Sequence, residues 1–220
     1  MDMKGKRVAF LGDSITEGTG VADRSLRYDN RLKAMWGLSE TYSDGIGGSR
    51  IAYQQKPSEK PRYDLCFCGH AYNIPVDVDA VVVYGGTNDY GHGDAPFGEL
   101  ADTTPATYCG AVRFLMSFLR ERFGDKPIVF LAPARRNGDE RVYLPHQAGN
   151  PHARTLIEYV DVIKTVAKEY DVAVLDLYHE LGINPNLEED RARYAPDGLH
   201  FNDAGHGLIA EKVAALFAAL

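Results

Sequence analysis

The sequence predicts an α/β protein, a mainly parallel sheet of five strands with helices on both faces, and two observations carry that prediction. Short apolar runs recur at residues 8–11, 80–84, 128–131 and 172–175, rich in β-branched or aromatic residues and bounded by Gly, Pro or Asp, as in strands buried on both faces. Amphipathic stretches lie between and after these runs. Strands that alternate with helices of that length are joined by crossovers, and crossovers make neighbours parallel.

The elements follow in order. The run at 8–11 opens the sheet, and a weaker strand near 41–44 brings the number to five. After the strand at 80–84, a helix is expected from Thr104 and Pro105, with Tyr108, Val112, Leu115 and Leu119 along one face. The strand at 128–131 precedes another helix, capped at Asn150 with Pro151 in its first turn, whose apolar face is Leu156, Val160, Ile163, Ala167 and Tyr170. After the strand at 172–175, a last helix is capped by Asn202 or Asp203 and carries Leu208, Ile209, Val213, Leu216 and Phe217. Long irregular segments remain at 56–78, 84–103, 133–150 and 178–201, and loops of such length in a compact domain are often functional.

With 220 residues, the chain fits one domain spanning 1–220. Its 45% hydrophobic and 25% charged residues are those of a soluble protein, and no stretch has the apolar length of a membrane span. The first residues lack the pattern of a signal peptide. A net charge of −7 argues against a nucleic-acid surface and favours small uncharged substrates. The three cysteines, Cys66, Cys68 and Cys109, form no even framework, so a cytoplasmic setting is expected. Cys66, Cys68 and His70 are spaced too tightly for an ordinary zinc site, and no metal is expected there.

The chemistry-bearing residues lie after strands. Gly12-Asp13-Ser14 ends the first strand, at the edge of an open α/β sheet where ligands collect. Serine is a poor nucleophile unless a base removes its proton. Near the other end, Asp197-Gly198-Leu199-His200 sets a carboxylate three residues before an imidazole, a spacing that lets the carboxylate orient the ring and leaves its other nitrogen for Ser14. An acyl-transfer site also needs donors for the oxyanion. Asn88, after Gly85 and Gly86, can offer its side-chain amide, and Gly45-Ile46-Gly47-Gly48 can offer a backbone amide from Gly47 or Gly48. Asp13 and Asp89 are expected to brace backbone. Arg135, Arg136 and Arg141 are expected in a solvated loop, Tyr90, His92, Phe97 and Tyr143 are candidates to line a pocket, and the remaining histidines are held in reserve.

In these blocks the sequence resembles the SGNH or GDSL hydrolases, named after a Ser, Gly, Asn and His. Gly12-Asp13-Ser14 matches the first block, Gly48 the second, Gly86-Thr87-Asn88-Asp89 the third and Asp197-Gly198-Leu199-His200 the last, in the family's order and across nearly the whole chain. The resemblance implies a flavodoxin-like three-layer fold, ester or thioester hydrolysis through an acyl-enzyme, and no cofactor. Ser14, Asp197 and His200 are then the triad, with Gly48 and Asn88 as oxyanion donors. A neutral imidazole is the working form of such a base, so activity is expected to fall toward acid pH and to resist chelators.

Two other functions compete with ester hydrolysis. An acyltransferase would use the same triad and discharge the acyl group to an alcohol. A non-catalytic flavodoxin-like module binding a small ligand or nucleotide would need a phosphate loop, yet Gly18-Thr19-Gly20 lacks the third glycine and no Gly-Lys-Ser/Thr loop exists. Ser14 also lies outside any Gly-x-Ser-x-Gly elbow, which disfavours the α/β-hydrolase superfamily as the source of the triad.

Overall fold

The computed structural model describes residues 1–142 and 154–220. Five parallel strands form one sheet in the order β2-β1-β3-β4-β5. They are β1 (Arg7–Gly12), β2 (Glu40–Gly45), β3 (Ala80–Tyr84), β4 (Ile128–Ala132) and β5 (Ala173–Asp176). Between β1 and β3 come α1 (Ser14–Glu17), α2 (Tyr28–Trp36) and α3 (Phe67–His70); between β3 and β5 come α4 (Thr87–His92), α5 (Tyr108–Phe123) and α6 (Leu156–Ala167). After β5 the chain forms α7 (Leu177–Glu180), α8 (Glu188–Tyr194) and α9 (Asp203–Ala219).

The apolar runs make strands because alternate residues find a core on each side. Ala9, Leu11, Val81, Val83 and Phe130 pack under α3, α5 and α6, whereas Val8, Phe10, Val82, Val129 and Leu131 pack under α2 and α9. The second layer is closed where Trp36 meets Phe217 with ring centroids 4.9 Å apart. Three layers result, as the resemblance implies. The chain leaves β1 toward β2 and returns on the other side as β3, so a topological switch point lies at the carboxyl ends of β1 and β3, where ligand sites form. Gly12 is in register with both Gly45 and Tyr84, which brings the segments after three strands to one level.

Several boundaries differ from expectation. The helix expected from Thr104 begins at Tyr108, because Thr107 Oγ1 accepts from the Gly110 amide at 3.1 Å and the Pro105 carbonyl is taken by the Tyr53 amide at 2.8 Å. The cap expected at Asn150 and Pro151 lies outside the described residues; α6 begins at Leu156, where Glu158 Oε2 accepts from the Thr155 amide at 2.8 Å. Asn202, not Asp203, caps α9, accepting from Ala204 and Gly205 at 3.1 and 3.2 Å. The segments at 56–78, 84–103 and 178–201 are not wholly irregular, since they contain α3, α4, α7 and α8. Among the described residues no helix is long and apolar enough to cross a membrane.

His206, in the first turns of α9, is wholly buried, stacks on Tyr28 and accepts from the Tyr28 amide through Nδ1 at 3.2 Å. Burial lowers its pKa to about 4, with Asp29 opposing and Arg31 and Arg27 adding to the effect. The folded state therefore resists a proton that the unfolded chain takes up at about 6.5. The stability held by neutral His206 is complete above that value and is lost as pH falls toward 4, by roughly 3 kcal/mol. Urea melts at neutral pH and near pH 4 should show this loss in wild type and a smaller one in His206→Gln; equal losses in both would contradict it.

Candidate active site

Ser14 is the first residue of α1, and its neighbours fix the turn that presents it. A Cβ at Gly12 would lie 2.0 Å from Thr16 Oγ1, so the sharp passage from β1 into α1 needs glycine there. Asp13 caps the helix by accepting from the Ile15 amide at 2.9 Å. Ser14 Oγ then stands 2.9 Å from His200 Nε2, with the residue 7% exposed. His200 Nδ1 is 2.7 Å from Asp197 Oδ2, while Asp197 Oδ1 accepts from the Leu199 and His200 amides at 2.9 and 2.7 Å. The Asp197–His200 turn is itself held by Asn137, whose amide donates to the Gly198 carbonyl at 2.7 Å.

Burial pushes the Asp197 carboxyl up, but the His200 ring and the two amides outweigh it and hold the group below the usual carboxylate range. An ionised carboxylate only accepts, so the proton of a neutral His200 sits on Nδ1. That leaves the Nε2 lone pair facing the Ser14 hydroxyl.

Asn88 and Gly48 face the same space from other strands. Asn88 follows β3, and its Nδ2 donates to the Ser49 carbonyl at 2.9 Å, which spends one amide hydrogen of two. Gly48 follows β2 at φ +79°, and a Cβ there would run into the Tyr63 ring at 2.3 Å. Of the two glycines, Gly47 has its amide taken by Glu17 Oε2 at 2.7 Å, whereas among the described residues the Gly48 amide meets no acceptor. A cavity of about 470 Å³ is lined by Ser14, Gly48, Tyr63, Asn88, Leu199 and His200. A larger hollow of about 750 Å³ opens at the other end of the sheet beside Lys126, Ile128 and Ala173, but no serine or histidine lines it.

Asp13 and Asp89 brace backbone. Asp89 accepts from the Ile51 and Ala52 amides at 2.9 and 3.0 Å, tying α4 to the loop that carries Gly48. Burial pushes Asp13 up to about 7 and Asp89 up to about 6, against the amides that pull both down. Arg135 pairs with Asp139 and Glu140, and Arg136 donates to Thr87, so neither is an idle loop cation. His92 lines the cavity, whereas Tyr90 and Phe97 pack into the core; Tyr143, His146 and His152 lie outside the described residues.

The Asp-x-x-His spacing is not unique to this site. Asp89 and His92, Asp176 and His179, and Asp203 and His206 share it, and Asp176 does pair with His179 at 2.9 Å. His200 differs in having a serine on its other nitrogen. His70, once weighed with Cys66 and Cys68, instead pairs with Asp44 at 2.8 Å, and Cys68 donates to the Ala111 carbonyl. Burial pushes the Cys66 and Cys68 thiols up and that of Cys109 up to about 12.

Sequence reasoning missed Glu17, Lys60, Arg62 and Tyr63. Glu17 stands one residue short of a helical turn beyond Ser14, a spacing that could have marked it, and it binds Arg62 at 2.7 Å. Lys60, Arg62 and Tyr63 belong to a segment with no periodicity, brought over the cavity by tertiary folding.

A parallel three-layer α/β sheet with this site at its carboxyl edge is the framework of an acylhydrolase. The chain belongs to the GDSL-like lipase/acylhydrolase family, whose model matches residues 10–208, and is an esterase or acylhydrolase. A solved protein from Lactobacillus plantarum is 31% identical over 98% of each chain, with a TM-score of 0.83. Another solved chain is 30% identical over 100% of this chain and 99% of its own, with a TM-score of 0.84. The acetylxylan esterase Axe2 from Geobacillus stearothermophilus shares the fold at 20% identity, covering 97% of this chain and 94% of its own, with a TM-score of 0.60. No curated protein matches the chain.

Proposed function

We propose that residues 1–220 form one hydrolase domain that cleaves small esters through an acyl-enzyme on Ser14. The carrying observation is the unbroken chain from Asp197 through His200 to Ser14, at 2.7 and 2.9 Å. His200 Nε2 takes the Ser14 proton as Oγ attacks the ester carbonyl. The oxyanion is met by the Ser14 and Gly48 amides and by Asn88 Nδ2. Collapse of this intermediate breaks the bond to the leaving alkoxy oxygen, which takes the proton from His200 and departs as the alcohol. Water, deprotonated by His200, attacks the acyl-enzyme and frees the acid and Ser14. Three free, buried thiols fit a cytoplasmic setting.

Short acyl groups are the proposed substrates. Glu17, Lys60 and Arg62 set charged side chains at the cavity wall, and the Tyr63 ring packs directly over Gly48. A long alkyl chain would have to displace water from these charges. A series of aryl esters run beside acetylated sugars, with wild type and Ser14→Ala, tests the reading. The acetyl ester should exceed the dodecanoyl ester in kcat/KM by roughly tenfold or more, the scale on which pocket fit separates homologues. The reverse order would overturn the preference. Activity unaffected by Ser14→Ala would overturn the mechanism.

A further inference from the structure

Arg50 is among the largest side chains buried in the molecule, 2% exposed, yet it carries a charge. Its Nη2 reaches Asp64 Oδ1 and Ser58 Oγ, each at 3.1 Å, and its Nη1 lies 3.1 Å from His92 Nδ1. A guanidinium has only donors. His92 Nδ1 must therefore be a bare lone pair, and the ring proton must sit on Nε2. That Nε2 lies 3.1 Å from Asn88 Oδ1.

The consequence falls on the Asn88 amide. With Nε2–H pointing at it, the oxygen of Asn88 is the acceptor, and its Nδ2 faces the Ser49 carbonyl at 2.9 Å. Flipping the amide would set an N–H against His92 N–H and an oxygen against the Ser49 carbonyl, turning two attractions into two repulsions. We propose that Arg50 and His92 are positioning residues, a relay that fixes one tautomer of His92 and so locks Asn88 with an N–H toward the oxyanion. This inference rests on the oxyanion role given to Asn88 above. The advantage is preorganisation: a donor already aimed costs no reorientation as charge develops on the carbonyl oxygen.

The relay explains why a buried arginine sits two residues beyond Gly48. It also binds the Gly48 loop, the 58–64 segment and α4 into one unit, since Arg50, Asp64, Ser58 and His92 come from all three.

The test compares His92→Leu, which deletes the relay, with His92→Gln, whose amide can accept from Arg50 and donate to Asn88. His92→Leu should lower kcat per folded molecule roughly tenfold with KM little changed, and His92→Gln should recover most of the loss. In an Asn88→Ala background, His92→Leu should cost nearly nothing further, because a residue acting through Asn88 has no effect once Asn88 is gone. Equal losses in both backgrounds, or normal kcat in folded His92→Leu beside an impaired Asn88→Ala, would overturn the relay alone. Near-normal kcat in Asn88→Ala would instead remove the oxyanion role on which it rests. A long-range ¹H–¹⁵N spectrum of wild type, independent of how the variants fold, should show His92 with bare Nδ1 and protonated Nε2 at neutral pH; the opposite tautomer would refute the proposal.

Discussion

Replacing Ser14 with alanine should lower kcat for an aryl acetate by roughly 10⁴ to 10⁶-fold, the range found when one member of a serine triad is removed. The change deletes one oxygen whose recorded side-chain bond is to His200, so folding should be nearly untouched. KM should stay close to wild type because the cavity wall is intact, and the residual rate should come from the oxyanion donors acting on a water nucleophile. His200→Ala should cost about as much, and the double variant little more, since the two residues act as a unit. A folded Ser14→Ala with a tenth of wild-type kcat would not fit a nucleophile.

The second large effect is expected at Asn88. The carbonyl oxygen gains full charge only on the way to the tetrahedral intermediate, so a donor aimed at it strengthens in the transition state. Asn88→Ala should lower kcat by about a hundredfold or more, near 3 kcal/mol, with KM comparatively unchanged. The structure adds a stability cost. Asn88 is buried and its Nδ2 satisfies the carbonyl of buried Ser49, so truncation strands that group at about 1 to 3 kcal/mol, whereas exposed His92 can turn to water. Asn88→Ala should therefore melt earlier and also turn over slowly in its folded fraction. Asn88→Asp keeps the volume but loses the donor and sets negative charge against the oxyanion, so it should be at least as slow. Normal turnover per folded molecule in both variants, with only melting temperature reduced, would assign Asn88 a structural role.

The strands β1, β3 and β4 were legible because each is buried on both faces, and Ala80–Tyr84 is apolar and wholly buried for that reason. Glu40–Gly45 was harder to read: it is an edge strand with polar residues, held by its ladder to β1. Helix starts were misplaced where the cap depends on tertiary contact, as at Thr107, where the Tyr53 amide claims the Pro105 carbonyl. The meeting of Ser14, Asp197 and His200 was legible because the Asp-x-x-His turn is local and the serine block is distinctive in company. The spacing alone was insufficient, as Asp176 and His179 demonstrate. Arg50, His92 and Tyr63 were illegible as a group because their meaning lies in contacts that join three separate loops, and no local pattern encodes them.

The central claim is that Ser14 carries the acyl group, and covalent trapping tests it most directly. Wild type treated with a fluorophosphonate, then followed by intact mass, residual activity and peptide mapping, should gain one adduct, lose activity in proportion, and carry the adduct on Ser14. An adduct on a different serine, or full inactivation with Ser14 unmodified, would contradict the account.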